Sequence, residues 1–193
     1  MKRVASMLGI ASVVACGGSG GGSSTTPSCD GACQDGVALL SLRDAIKVVY
    51  NLTLQGQPVG PQSGMLPNAM YPMGCPGGGM ASVTGTASSN ADQGTTTVNL
   101  TYVFTSCHYS VIDSDPTQTF DMTVDGTVTE VGTIAVQPSS TTALEFTSAA
   151  FSFDGTVYGP PIDYMQKACA LQLGQDGNNL SGTLCGRDAG TTL

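Results

Sequence analysis

Positive charge is scarce in this chain. Six Lys and Arg residues stand against fourteen Asp and Glu, giving a formal net charge of −8 over 193 residues. Beyond the N-terminal segment only Arg43, Lys47, Lys167 and Arg187 remain, and they are scattered. Phosphate binding needs clustered Lys and Arg, so a nucleic-acid groove is excluded. Histidine is rarer still, with His108 alone. No Ser/His/Asp or Cys/His set can be argued around it, and no Cys/His zinc cluster either. After the N-terminal segment no apolar run is long enough to span a bilayer as a helix. Charged residues make up only 10% of the chain, which is low for a soluble domain. Gly, Ser and Thr carry the polarity instead, a composition that suits strands and turns. With the first thirty or so residues set aside, roughly 160 remain, enough for one buried core.

What is present starts with a seam. Lys2 and Arg3 precede an apolar or small-residue run from Val4 to Val14. That run is too short for a transmembrane helix and the right length for a secretory signal. It ends in Val13-Val14-Ala15-Cys16, and a Gly/Ser-rich stretch follows at once. The tetrapeptide resembles the lipobox of bacterial lipoproteins, in which the first residue is more usually Leu. The resemblance implies acylation of Cys16 (diacylglycerol on sulfur, a fatty chain such as palmitate on the new amine) and cleavage before it. Gly17 stands where an aspartate often marks inner-membrane retention, so the resemblance favours the outer membrane. The alternative is an ordinary signal peptide with an incidental cysteine. Residues 17–28 read as a flexible tether spanning on the order of 20 Å. Gly17-Gly18-Ser19-Gly20-Gly21 matches G-x-S-x-G, but a low-complexity linker offers neither the strand nor the helix a nucleophile elbow requires.

Six cysteines remain: Cys29, Cys33, Cys75, Cys107, Cys169 and Cys185. Export makes an even count read as disulfides. Residues 79–87 and 96–106 read as a hairpin, and 91 is the midpoint of Cys75 and Cys107. Gly177 is likewise the midpoint of Cys169 and Cys185, within a second hairpin. Opposed strand positions come close enough to bridge. Cys29–Cys33 follows by elimination, with a redox site as its functional alternative. That alternative lacks the usual C-x-x-C spacing and βαβ context.

Residues 37–52 have helical periodicity. Ala38, Leu42, Ala45 and Val49 form one stripe, with Leu39, Ile46 and Tyr50 beside it. Asp35 is the expected N-cap, Gly56 and Pro58 the stop, and Asp44 the exposed side. Strands fit 120–128, 131–137, 143–148, 150–158, 167–173 and 180–186, most with clean alternation. The expected fold is α+β: one N-terminal helix packed on a curved antiparallel sheet of about seven or eight strands. The expected divisions are 1–15 (signal), 16–34 (acylated cysteine and tether) and 35–193 (one disulfide-bonded domain). The layout resembles small bacterial envelope lipoproteins, some of which cradle lipid between a curved sheet and helices.

Candidate sites are few. Met65, Met70, Met73 and Met80 surround a Pro/Gly-rich segment, and a Cys75–Cys107 bridge would bring His108 near them. Thioethers are soft ligands for Cu(I) in an oxidising compartment, although methionines also fill gaps over a core. Asp113, Asp115, Asp121 and Asp125 lack the spacing of a calcium loop and read as turn and surface carboxylates. Asp176, Asn178 and Asn179 read as turn residues. Glu130 and Glu145 are the only glutamates, without a recognisable glycosidase context. The expectation is a non-enzymatic envelope module with a binding or a surface/structural role, membrane-bound through its lipid, without a cofactor. Its ligand would be a lipid, a glycan or a protein. Periplasmic copper binding is the alternative and a hydrolase the third reading.

Overall fold

The computed structural model describes residues 28–53, 71–90 and 92–193. The described residues form one helix and eight strands: α1 (Gly31–Thr53), β1 (Tyr71–Gly74), β2 (Met80–Asn90), β3 (Thr95–Val111), β4 (Phe120–Ala135), β5 (Ala143–Val157), β6 (Ile162–Asp176), β7 (Asn179–Leu184) and β8 (Arg187–Thr192). A short 3-10 turn at Pro116–Gln118 precedes β4. The fold is α+β, with the helix on an open, curved antiparallel sheet.

The helix starts earlier than its periodicity indicates. Asp30, not Asp35, caps it: Oδ1 of Asp30 accepts the amide of Cys33 at 3.0 Å, the bond an N-cap makes three residues on. The helix therefore begins ahead of residue 35, and residues 31–34 belong to it. Asp35 lies inside α1 and is 3% exposed. Ala38, Leu39, Leu42, Ala45, Ile46 and Val49 are all buried, as their spacing predicts. Asp44 is only half-exposed. Gly56 and Pro58 lie outside the described residues.

Strand order follows chain order, β1 to β8, with every neighbour antiparallel. Flat, such a sheet would be about 34 Å wide. Yet α1, a cylinder of about 10–12 Å, touches β1 to β5 and also β8. The sheet must curl around the helix to present both edges to it. Two strands expected at 120–128 and 131–137 are one, β4. Those at 143–148 and 150–158 are also one, β5. The bulge lies in β5: four steps from Thr147 to Phe151 pass three from Thr129 to Gly126 of β4, and Ser148 to Phe151 likewise outruns β6. A bulge inserts one residue and flips the alternation, so β5 reads as two strands, whereas β4 keeps its even positions inward from Phe120 to Glu130.

The concave face is filled by rings in series. Tyr102 stacks on Phe104 at 6.3 Å, and Phe104 meets Phe151 edge-on at 6.0 Å. Phe151 meets Phe153 at 5.1 Å, and Phe153 meets Tyr164 at 6.2 Å. Gly126 of β4 sits between Phe104 and Phe151 in the ladder, at φ 127°. A side chain there would press on the Phe151 ring and keep the two apart. The convex face carries a polar row instead, the hydroxyls of Thr84, Thr101, Thr129 and Thr147, then the amide of Gln172 and the hydroxyl of Thr183. Threonine suits both a pleated strand and water, which is how a domain with so few charges keeps a wet face.

The three expected bridges form, with Cα separations of 5.1 Å (Cys29–Cys33), 5.4 Å (Cys75–Cys107) and 4.8 Å (Cys169–Cys185). Their registers differ from the hairpin arithmetic. Cys75 sits in the turn between β1 and β2, while β2 pairs Met80 with Thr105. Cys107 follows a bulge in β3. The amide of Cys185 bonds the carbonyl of Ala170, one residue along from Cys169.

Candidate functional site

Three polar sets and one surface trough hold the chemistry of the described residues. The first set lies where α1 begins. Tyr164 on β6 donates its hydroxyl to Oδ1 of Asp35 at 2.7 Å. Arg187, opening β8, donates to the same carboxylate through Nη2 at 2.8 Å and Nε at 3.2 Å. The pairing is the two-pronged kind that suits a planar guanidinium. Asp35 in turn raises the pKa of Arg187, and burial followed by the Asp35 bond raises that of the Tyr164 hydroxyl.

The second set is deeper. Glu130 on β4 is 2% exposed and accepts the hydroxyl of Tyr102 at 2.6 Å. Burial pushes the Glu130 carboxyl up, against the bond from Tyr102 and the nearby positive charge of Arg43. Arg43 makes its own bond elsewhere, from Nε to Oε1 of Gln175 at 3.0 Å. The Tyr102 hydroxyl is driven well above its usual range, first by burial and then by the Glu130 charge.

The third set is on the convex face. His108 presents Nε2 to Oδ1 of Asp121, and Nδ1 to the carbonyl of Gly77 at 3.1 Å. Both partners are acceptors, so the ring satisfies both only as the doubly protonated cation. Its pKa is raised, chiefly by the Asp121 bond and then by the Gly77 carbonyl.

His108 and Met73 are not brought together. Met73 packs on the core beside Ala45, Val49 and Tyr109, whereas His108 points to the other face between Cys107 and Tyr109. Met65 and Met70 lie outside the described residues, as does Cys16. Among the described residues no three His, Cys, Asp or Glu side chains converge to hold a metal. Asp115 caps the 3-10 turn, Asp113 accepts the amide of Asp115, and Asp125 accepts the amide of Ser106. Each makes its own bond, and Glu145 on β5, opposite Val131, is one ladder step from Glu130 but exposed on the other face.

The trough is open and about 770 Å³ in volume. Gly132, Ala143 and Gly174 form its floor, and Glu145, Asp176, Asn179 and Ser181 offer it polar groups. By contrast, the space under α1 near Met73 and Cys75 measures about 10 Å³, room for one water at most. Sequence reasoning missed Asp35, Tyr164, Tyr102 and Arg43 as members of polar sets. Their partners are distant in the chain, and nothing local marks them. No protein-family model, curated protein or solved structure matches the chain.

Proposed function

We propose that this protein is a lipid-anchored module of the bacterial cell envelope, held through Cys16 on a Gly/Ser tether, and that it binds rather than catalyses. The observation that carries the reading is the cysteine count. The chain has seven cysteines, and six are consumed in three bridges. The seventh, Cys16, has no cysteine left to pair with, and it stands at the end of the lipobox-like Val13-Val14-Ala15. Bridged cysteines accord with an oxidising compartment outside the cytosol. Two or three acyl chains would anchor durably where one would be marginal. Gly17 favours the outer membrane as the destination.

Cys16→Ser tests this. The variant is expected to leave the membrane fraction and to lose acyl groups from the mature N-terminus, read by mass spectrometry. A variant that stays membrane-bound with the same lipid overturns the reading.

For the ligand, the trough favours a glycan over a lipid. Carboxylates, an amide and a hydroxyl on an open floor match a hydroxyl-rich chain, and the space measured under the helix is too small for an acyl chain. Gly174 has ordinary φ and open space above its Cα, so Gly174→Tyr fills the trough without backbone strain. Titration calorimetry with oligosaccharides from the envelope is expected to lose its heat in that variant. Undiminished binding would move the site elsewhere.

A further inference from the structure

We infer that the first two turns of α1 are a root clamp, in which the Cys29–Cys33 bridge and the Asp35–Arg187–Tyr164 set act in series to pass tension from the N-terminal side of the chain into β8 and β6. An unclamped helix is weakest at this end. Its first amides lack helical partners and its terminal turn frays, so a pull on Ser28 would peel it residue by residue. Here the peel has nothing to start on. The bridge joins Cys29 to Cys33, so tension bypasses residues 30–32 covalently. The Asp30 cap and a bond from Nε2 of Gln34 to the carbonyl of Cys29 at 3.0 Å close the same turn.

Two residues past the bridge, Asp35 grips two strands that are not neighbours, since β7 lies between β6 and β8. One residue further, Gly36 lies so close to β8 that a Cβ would stand 3.1 Å from the carbonyl of Gly190. From Val37 to Leu42 every residue of the helix is buried. From Cys29 to Val37 the chain is bridged, bonded or packed except at exposed Gly31 and Ala32, which the bridge bypasses, and the grip lands on strands far apart in sequence. The clamp's purpose rests on reading residues 17–28 as a tether under load; its mechanics do not.

Constant-force measurements on the full chain test it, with handles at residue 26 and in the turn at residues 138–140. A control axis runs from the turn at 113–115 to 138–140. Asp35→Ala is expected to speed opening along the N-terminal axis about tenfold, equivalent to about 1.4 kcal/mol, and to change the control axis by clearly less. The double variant Cys29→Ser, Cys33→Ser is expected to add an early low-force extension of about 11 Å, the six residues from Cys29 to Gln34 drawn straight to about 20 Å less their folded span of about 9 Å. Asp35→Asn keeps an acceptor for Tyr164 and should fall between wild type and Asp35→Ala. It carries the test if the alanine variant does not fold. Equal acceleration on both axes, or no early extension without the bridge, overturns the clamp. These results do not depend on acylation: a chain that passes them while Cys16→Ser leaves membrane binding unchanged keeps the clamp and loses the anchor.

Discussion

Two carboxylates lie buried in this domain, and each receives a tyrosine hydroxyl. Asp35 takes Tyr164 at 2.7 Å and Glu130 takes Tyr102 at 2.6 Å. Their exposures are 3% and 2%. Beyond that they differ in company and in reach. Asp35 also holds Arg187, so its charge is met, and its bonds join α1 to β6 and β8. Glu130 forms no ion pair with a described residue. Its tyrosine lies on the neighbouring strand, where Leu100 already pairs with Glu130 and Val128 with Tyr102. One site joins elements that nothing else in the backbone joins. The other repeats a connection the ladder already makes. A buried acid contributes to the fold when its charge is compensated and its bonds cross between elements, and costs stability when neither holds.

A carboxylate with neither advantage should do worst. Ala45 is 3% exposed on the helix face turned to the sheet, with apolar neighbours in Met73, Val49 and Tyr109. Ala45→Asp is expected to cost about 4 kcal/mol or to abolish folding, measured by urea unfolding with the bridges intact. A cost under about 1 kcal/mol would mean that the helix lifts off the sheet easily, and the packing argument would fail. Asp35→Ala comes next. It strands a buried tyrosine hydroxyl and unpairs Arg187, but that side chain is 51% exposed and water recovers part of the loss. About 2–3 kcal/mol is expected.

Glu130→Gln should go the other way. Burial raises the Glu130 pKa above its unfolded value. The folded state therefore keeps a proton that the unfolded state gives up, and stability falls as pH rises from the unfolded value through the folded one. The amide oxygen of Gln can still accept from Tyr102. The variant should match wild type near pH 4 and exceed it by on the order of 1 kcal/mol near pH 7. A loss at neutral pH would show that Glu130, like Asp35, is held by a compensating charge.

The contrast between the two acids was closed to sequence reading, and the reason is distance. The partners of Asp35 lie 129 and 152 residues away, so a polar residue just ahead of an apolar stripe reads as a cap. The cap, Asp30, was hidden because the helix begins inside the Cys29–Cys33 loop. The apolar face of α1 and the alternation of β3 were legible because period 3.6 and period 2 are local properties. Strand lengths were not: the bulge in β5 inverts the alternation midway, and past Glu130 the alternation of β4 fades into half-buried residues. The bridge pairs came out correctly on a register that is shifted in both hairpins. A disulfide tolerates such an offset because its Cα separation has a range of over 2 Å. Glu130 sits between Val128 and Gly132 on the inward face, and alternation alone places it inside. Nothing local says that a tyrosine two strand positions away would meet it.

The same strand pair offers a third case, which sets the lower end of the scale. His108 pairs with Thr123 in the β3–β4 ladder and reaches diagonally to Asp121, two residues along β4. Tyr102, opposite Val128, reaches Glu130 two residues the other way along β4, on the opposite face. Here the pair stands in water, with side chains 36% and 62% exposed. The Asp121 bond, and then the Gly77 carbonyl, raise the His108 pKa above its unfolded value of about 6.5. The pair's contribution is therefore complete below that value and is lost as pH rises through the folded one. Solvent screening keeps it small, roughly 0.5 kcal/mol. Against His108→Gln, wild type should be more stable by about that amount near pH 5.5 and equal near pH 9, with added salt shrinking the difference. A pH-independent difference would mean that the ring acts by packing on the Gly77 turn. A difference larger than that from Glu130→Gln would mean that exposure, rather than company and reach, decides what an acid contributes in this fold.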